Sequence, residues 1–437
     1  RITERFLLST RRGVEFVDLS SGENWQNHWV RSGCLLGYLP CNGLLYVTPH
    51  PCSCYLEAKL VGFNALAPKR TAGEPVPETP DGRRLVKGPA YDQPIRNPTS
   101  DIRNDDWPTY RHDARRSGAT EAAVPTDLKQ AWTADIGAGP SAPVVAAGKV
   151  FVAGVDTHTV HALGAADGKE AWRHTAGGRV DSPPTVHGGL ALFGSTDGRV
   201  TCLRADDGAL AWRFDAAPAR QFVTAFGQVE SAWPVPGSVL VADGTCWLAA
   251  GRSSYLDGGI RFWGLDPATG KAVHAETFCH RDPETGKQPP TTSAGNLPGL
   301  LNDVPAGDGS GVFIRQMKVR DTGGKRVLRI YMTGGYLDDA WFNRTYWKAR
   351  QAQTSGVMVL GDGVAYGMEV FKSRSRETVF QPGTKPYRLR CLPLEMSEER
   401  KKDRRKRRQG PKARWETRLD IRVTALVRAG DVLFAAG

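Results

Sequence analysis

A unit of about forty residues is written twice in register between Trp132 and Phe214, and this repetition limits the folds open to the chain more than any other feature. Ser141-Ala-Pro-Val-Val-Ala-Ala-Gly-Lys-Val-Phe-Val-Ala-Gly154 lies over Ser182-Pro-Pro-Thr-Val-His-Gly-Gly-Leu-Ala-Leu-Phe-Gly194 with matching serine, proline, valine, glycine and apolar positions. Val160-His-Ala-Leu-Gly-Ala-Ala-Asp-Gly-Lys-Glu-Ala-Trp172 then lies over Val200-Thr-Cys-Leu-Arg-Ala-Asp-Asp-Gly-Ala-Leu-Ala-Trp212 without a gap. Trp132, Trp172 and Trp212 are each 40 residues apart. A fixed period in this range marks a repeat architecture, so the unit has to be explained before single residues are given roles.

Within each copy the pattern is short strands punctuated by glycine. Lys149-Val-Phe-Val-Ala153 is β-branched and aromatic and is bounded by Gly148 and Gly154, as a buried strand is. Asp167-Gly168 and Asp207-Gly208 supply an Asp-Gly pair suited to a two-residue hairpin turn. Strands at this density predict an all-β fold, a β-propeller of four-stranded blades. Each tryptophan can pack against the neighbouring blade while its N–H finds a backbone partner. Trp132, Trp172, Trp212 and the similarly spaced Trp415 are therefore read as structural repeat residues, with Asp167, Gly168, Asp207 and Gly208, because a site residue does not recur in every unit.

The string Ala-Asp-Gly-Lys-x-x-Trp after an apolar strand resembles the pyrroloquinoline-quinone (PQQ)-like repeat of quinoprotein dehydrogenases and of many bacterial propellers that bind no quinone. Asp266-Pro-Ala-Thr-Gly-Lys271 looks like a further copy with His274 at the tryptophan position, and Ser20-Ser-Gly-Glu-Asn-Trp25 like a looser one. Trp107-Pro-Thr-Tyr-Arg-His-Asp-Ala-Arg-Arg-Ser-Gly118 resembles the lead-in such proteins carry before their first regular blade. The resemblance implies about seven or eight blades in a full protein, of which this chain would be an incomplete internal piece, and a periplasmic or extracellular location. It also implies what an active member needs: adjacent cysteines, a calcium held by acidic and amide side chains, and an aspartate base. No Cys-Cys pair occurs here and no single aspartate matches the base, so PQQ and calcium are possible cofactors without a catalytic set. Two functions stay open on this basis. One is a binding or scaffolding module for a small molecule or protein on a propeller face; the other is a quinoprotein oxidoreductase with active residues partly outside this chain.

The 437 residues divide into irregular blades at 1–67, a proline- and glycine-rich linker at 68–106, and PQQ-like blades at 107–437 with a basic insertion at 397–414. The net charge is +12, and residues 398–414 hold ten basic and three acidic side chains. No aromatic residues interleave with that run, so it reads as a solvated rim loop and not as a nucleic-acid site. No stretch approaches the roughly 18 continuous apolar residues of a membrane helix.

Function is expected where the repeat is broken: at 34–54, 220–303 and 338–347. Cys34, Cys41, Cys52 and Cys54 cluster within 21 residues, near His28 and His50. Disulfides pinning a loop, free thiols, or ligation of zinc or an iron–sulfur cluster are the competing readings, and the Cys-x-Cys spacing departs from the usual zinc-ribbon pair. Cys202 and Cys246 take apolar strand positions and read as core. In the aromatic and polar segment 338–347, Asp338, Asp339, Trp341, Arg344 and Trp347 are candidates to line a channel mouth, against the alternative of packing between blades.

Overall fold

The computed structural model describes the chain outside residues 11, 34–36, 50–53, 69–77, 94–102, 104, 138, 292–295, 339–345, 371–386, 404 and 406–409. The fold is all-β; the helical elements among the described residues are the turn Asp81–Arg83 and the short helix Glu398–Lys402. The first regular blade is the antiparallel sheet of Val144–Ala146, Lys149–Gly154, Thr159–Gly164 and Glu170–Thr175. The second contains Thr185–His187, Leu190–Ser195, Arg199–Arg204 and Leu210–Asp215, and the third Leu240–Ala242, Thr245–Ala250, Ile260–Leu265 and Ala272–Phe278. Further along, Met358–Leu360, Val364–Glu369, Tyr387–Pro393 and Trp415–Leu419 form another four-stranded sheet. Three-stranded sheets are built at 306–321 and 331–354, and two more within the first 66 residues. In the stretch expected as a linker, Leu85–Lys87 joins the outer edge of the second blade as a fifth strand, and buried Arg84 donates to the carbonyls of Asp215 and Ala217.

The repeated residues form one contact three times. The Trp132, Trp172 and Trp212 indole N–H groups donate to the carbonyls of Ala165, Ala205 and Pro267, each at 3.0 Å. Each ring lies on the turn glycine of the next blade: a Cβ added to Gly168, Gly208 or Gly270 would come within 2.4, 2.7 or 2.6 Å of it. The turn itself is not the two-residue hairpin expected from Asp-Gly. Gly168 N–H bonds back to the Gly164 carbonyl, the glycine alone has a positive φ (69°), and the Asp167 carboxylate caps the Lys169 N–H at 3.1 Å. A register shift after Ala162, repeated after Cys202 and Gly264, supplies the extra residue that this wider turn needs. Trp415 departs from the pattern and is 44% exposed beside Tyr366.

The lead-in segment meets the first strand of sheet after sheet. Trp107 exchanges both backbone bonds with Val145, and Val186 N–H donates to the Pro108 carbonyl. Gly307 N–H donates to Ala114, Ile330 N–H to Arg115, Leu360 N–H to Ser117 and Arg428 N–H to Gly118. Ala119–Thr120 then pairs in parallel with Ala425–Ala429. Arg116, with 0% exposure, fills the space between: its guanidinium donates to Thr109 Oγ1 and the Tyr110 carbonyl at 2.9 Å, to the Pro305 carbonyl at 2.6 Å and to the Val239 carbonyl at 3.4 Å. With Val239 leading into the third blade, seven successive sheets touch this one stretch. Arg111, His112 and Arg116 adopt positive φ (56°, 79° and 57°), a conformation costly for such residues and kept only where surrounding bonds impose it.

Substitution at two glycines separates turn strain from packing. Gly227→Ala meets positive φ (74°) with nothing within 4 Å, and should cost about 1 kcal/mol. Gly208→Ala adds collision with Trp172 and should cost at least about 2–3 kcal/mol more, seen as a larger fall in the thermal midpoint.

Candidate functional site

Asp303 lies three residues before the strand Ala306–Gly307 begins, and Arg315 follows Gly311–Ile314 in the turn to the next strand, so both lie at the same end of their sheet. Both are buried, at 3% and 6% exposure. Asn302 anchors this end to the third blade by donating to the carbonyls of Ala249 and Gly251 at 3.0 and 2.9 Å. The Tyr336 N–H donates to both oxygens of Asp303, at 3.0 and 2.9 Å. That approach requires Gly335 at φ 107°, where an added Cβ would sit 3.4 Å from the carboxylate.

Arg315 gives one N–H to the Thr333 carbonyl, while its Nη1 is buried without a hydrogen-bond partner among the described residues. The acidic charges it faces are Asp303, Asp338 and Glu57. These come from the end of the wide insert, the start of the aromatic segment, and the chain just after the cysteine cluster. Burial pushes the Asp303 carboxyl up to about 6, opposed by the Tyr336 N–H and by Arg315. The centre thus joins the broken parts of the repeat through one cation and can exchange a proton near neutral pH.

The same end of the molecule holds a second ion cluster. Glu230, 1% exposed, accepts from Arg252 at 2.8 Å and lies 2.9 Å from Arg179. It closes the hairpin Phe222–Ala225 and Gln228–Ser231, whose Gln228 meets His158 at 2.6 Å and whose Phe226 lies under Arg179 at 4.2 Å. The hairpin leaves Phe222, Phe226 and Val229 exposed at 59%, 81% and 68%. The N-terminal sheets dock nearby: Trp29 stacks on Tyr255 at 5.6 Å, Arg281 lies over Trp29 at 4.9 Å, and Ala58 packs on Gly299.

Of the cysteine candidates, Cys34 and Cys52 lie outside the described residues. Cys41 is exposed at the end of its strand and forms no disulfide among the described residues. Cys54 is half-buried at the edge of the Trp29–Tyr55 cluster. Among the described residues no three of His, Cys, Asp and Glu converge as a metal requires. Asp339, Trp341 and Arg344 also lie outside the described residues; Asp338 begins that segment, and Trp347 packs between Tyr336 at 5.8 Å and the Arg111 guanidinium at 4.7 Å. Sequence reasoning missed Asp303, Arg315 and Arg116. The only signal for them was position: Asp303 and Arg116 fall where an irregular stretch leads into a strand, and Arg315 in the turn between two strands.

The family model described as outer membrane protein assembly factor BamB matches residues 118–289. The match covers less than half of the chain and says what that stretch of repeats is similar to. No curated protein sequence matches the chain. Similar solved structures include a quinohemoprotein alcohol dehydrogenase from Pseudomonas putida HK5, 12% identical over 76% of this chain and 69% of that one, with a TM-score of 0.43. The quinohemoprotein alcohol dehydrogenase of Comamonas testosteroni is 13% identical over 80% of this chain and 72% of its own, with a TM-score of 0.44. BamB from Moraxella catarrhalis is 15% identical over 51% and 67%, with a TM-score of 0.28. At these scores the likenesses carry no argument about activity. No helix among the described residues is long and apolar enough to cross a membrane.

Asp303 sets a pH dependence of known sign. Its folded-state pKa of about 6 exceeds the ordinary 3.8, so its contribution to stability is full below pH 3.8 and is lost as pH rises through 6. The loss should approach about 3 kcal/mol. Denaturation at pH 4 and pH 7 should show this difference in the native protein, and Asp303→Asn should remove it.

Proposed function

We propose that this protein is a non-catalytic, extracytoplasmic propeller that binds a partner protein on the face built by its insertions. The observation that carries the reading is the axial segment 107–120, whose own Arg116 and Tyr110 occupy the space between the innermost strands. The recognition surface then falls to the loops, where the hairpin presents Phe222, Phe226 and Val229 to solvent. Aromatic side chains of this kind are common anchors in protein interfaces. The match of 118–289 to an assembly-factor family points the same way.

Quinone and calcium do not fit the residues present. The sequence has no adjacent cysteines, and both Asp303 oxygens are engaged by the Tyr336 N–H in a buried position. One observation favours the second reading, a quinone-dependent oxidoreductase: Asp303 has a raised pKa beside Asn302 and Arg315, a combination suited to a base. The two readings separate in solution. Under the binding reading, PQQ with calcium leaves the quinone absorbance unchanged and no alcohol or aldose reduces an acceptor dye; stoichiometric quinone binding with dye reduction would establish the second. Phe222→Ser combined with Phe226→Ser should keep the thermal midpoint within about 2 °C, since exposed substitutions rarely exceed about 0.5 kcal/mol. The double variant should lose a cell-envelope protein that the native chain captures; capture unchanged by it would contradict the proposed face.

A further inference from the structure

The end of the molecule opposite the Asp303 centre holds a cleft of about 350 Å³. The turn at Asp308 lies at that far end of its sheet, Val327 N–H bonds to the Asp308 carbonyl, and the next residue, Leu328, lines the cleft. Its size falls at the lower end of small-molecule sites, which run from about 300 Å³.

Three guanidinium groups on separate elements line it: Arg115 from the axial segment, Arg350 from the turn after Trp347–Ala349, and Arg428 from Ala425–Ala429. Arg428 is 9% exposed and is fixed by Glu121 at 3.1 Å and Asp362 at 3.4 Å. These carboxylates stand at the rim with their side chains 81% and 93% exposed, so each pair is screened by water and weak. Arg115 is oriented by Asp113 at 3.0 and 3.1 Å, and Arg350 by Glu395. An arginine carries five N–H donors, and these pairings use no more than two on each. Donors therefore remain for a ligand oxyanion.

The wall between the charges is apolar, formed by Leu328, Leu360 and Leu394. Burial lowers the pKa of His112, also in the lining. Arginines and carboxylates are closely balanced, so the site has no net field to draw in a simple anion, and Arg428 lies deeper than the two carboxylates that hold it, Glu121 and Asp362. A ligand matched to that order has a carboxylate, an apolar body and a cationic group placed toward the rim. We propose that this cleft binds a small zwitterion of the amino-acid type with an apolar side chain, its carboxylate on Arg350 and Arg428 and its ammonium near Glu121 and Asp362.

L-leucine, 4-methylpentanoate and 3-methylbutylamine share the apolar body and differ only in the charged groups they carry, which makes them suitable probes for calorimetric titration of the full chain. L-leucine should bind saturably, and the two singly charged analogues at least about tenfold more weakly, the value of one charge-assisted hydrogen bond. Arg350→Ala, at a side chain 57% exposed, should preserve the thermal midpoint and weaken L-leucine by a similar factor. Arg173→Ala, 69% exposed on the first blade, should leave binding unchanged. The proposal is overturned if L-leucine shows no saturable binding up to about 10 mM, if 4-methylpentanoate binds as tightly, or if Arg350→Ala has no effect in a folded protein.

Discussion

An exposed strand edge is a row of unpaired N–H and C=O groups, and a propeller aims the first edge of every blade at its own axis. In this protein those edges are answered by fourteen residues, 107–120, which give a carbonyl to Val186, Gly307, Ile330, Leu360 and Arg428 and pair directly with Val145. A regular strand cannot visit sheets arranged around it, so the segment turns through positive φ at Arg111, His112 and Arg116. The fully buried Arg116 reaches the remaining carbonyls. A charge is costly to bury unless its donors are satisfied, and here backbone oxygens from three parts of the chain satisfy them.

The two ends of the molecule follow from this hub. With the axis occupied, insertions accumulate at one end, where Asn302, Asp303 and Arg315 tie the third blade, the aromatic segment and the N-terminal sheets to one ion centre. At the other end the tryptophan clasps repeat without interruption around the first blades, and the cleft lined by Arg115 and Arg428 opens where the hub leaves the axis. Recognition and stability are thereby assigned to different residues of the same sheets.

The blade was legible in the sequence because Trp172, Trp212 and their glycines recur, and a contact made in each repeat leaves a periodic trace. The turn was misread in detail: Asp-Gly usually signals a two-residue hairpin, but the recurring register shift widens the loop and leaves only glycine at positive φ. The importance of 220–303 and 338 was visible as broken rhythm. The identity of Asp303 and Arg315 was not, since each gains its meaning from partners more than ten residues away. Arg116 is harder still, because its role depends on Val239 and Pro305, which are distant in sequence and offer only carbonyls.

The claim on which the rest depends is that the segment 107–120 closes the inner edges of the sheets. Native-state hydrogen exchange tests it residue by residue at Val145, Val186, Gly307, Ile330, Leu360 and Arg428, whose amides donate to that segment. If it is the hub, these six amides exchange together in the slowest class, through global opening. Fast exchange of the group, as at open strand edges, while the amides between strands within each blade stay protected, would contradict it.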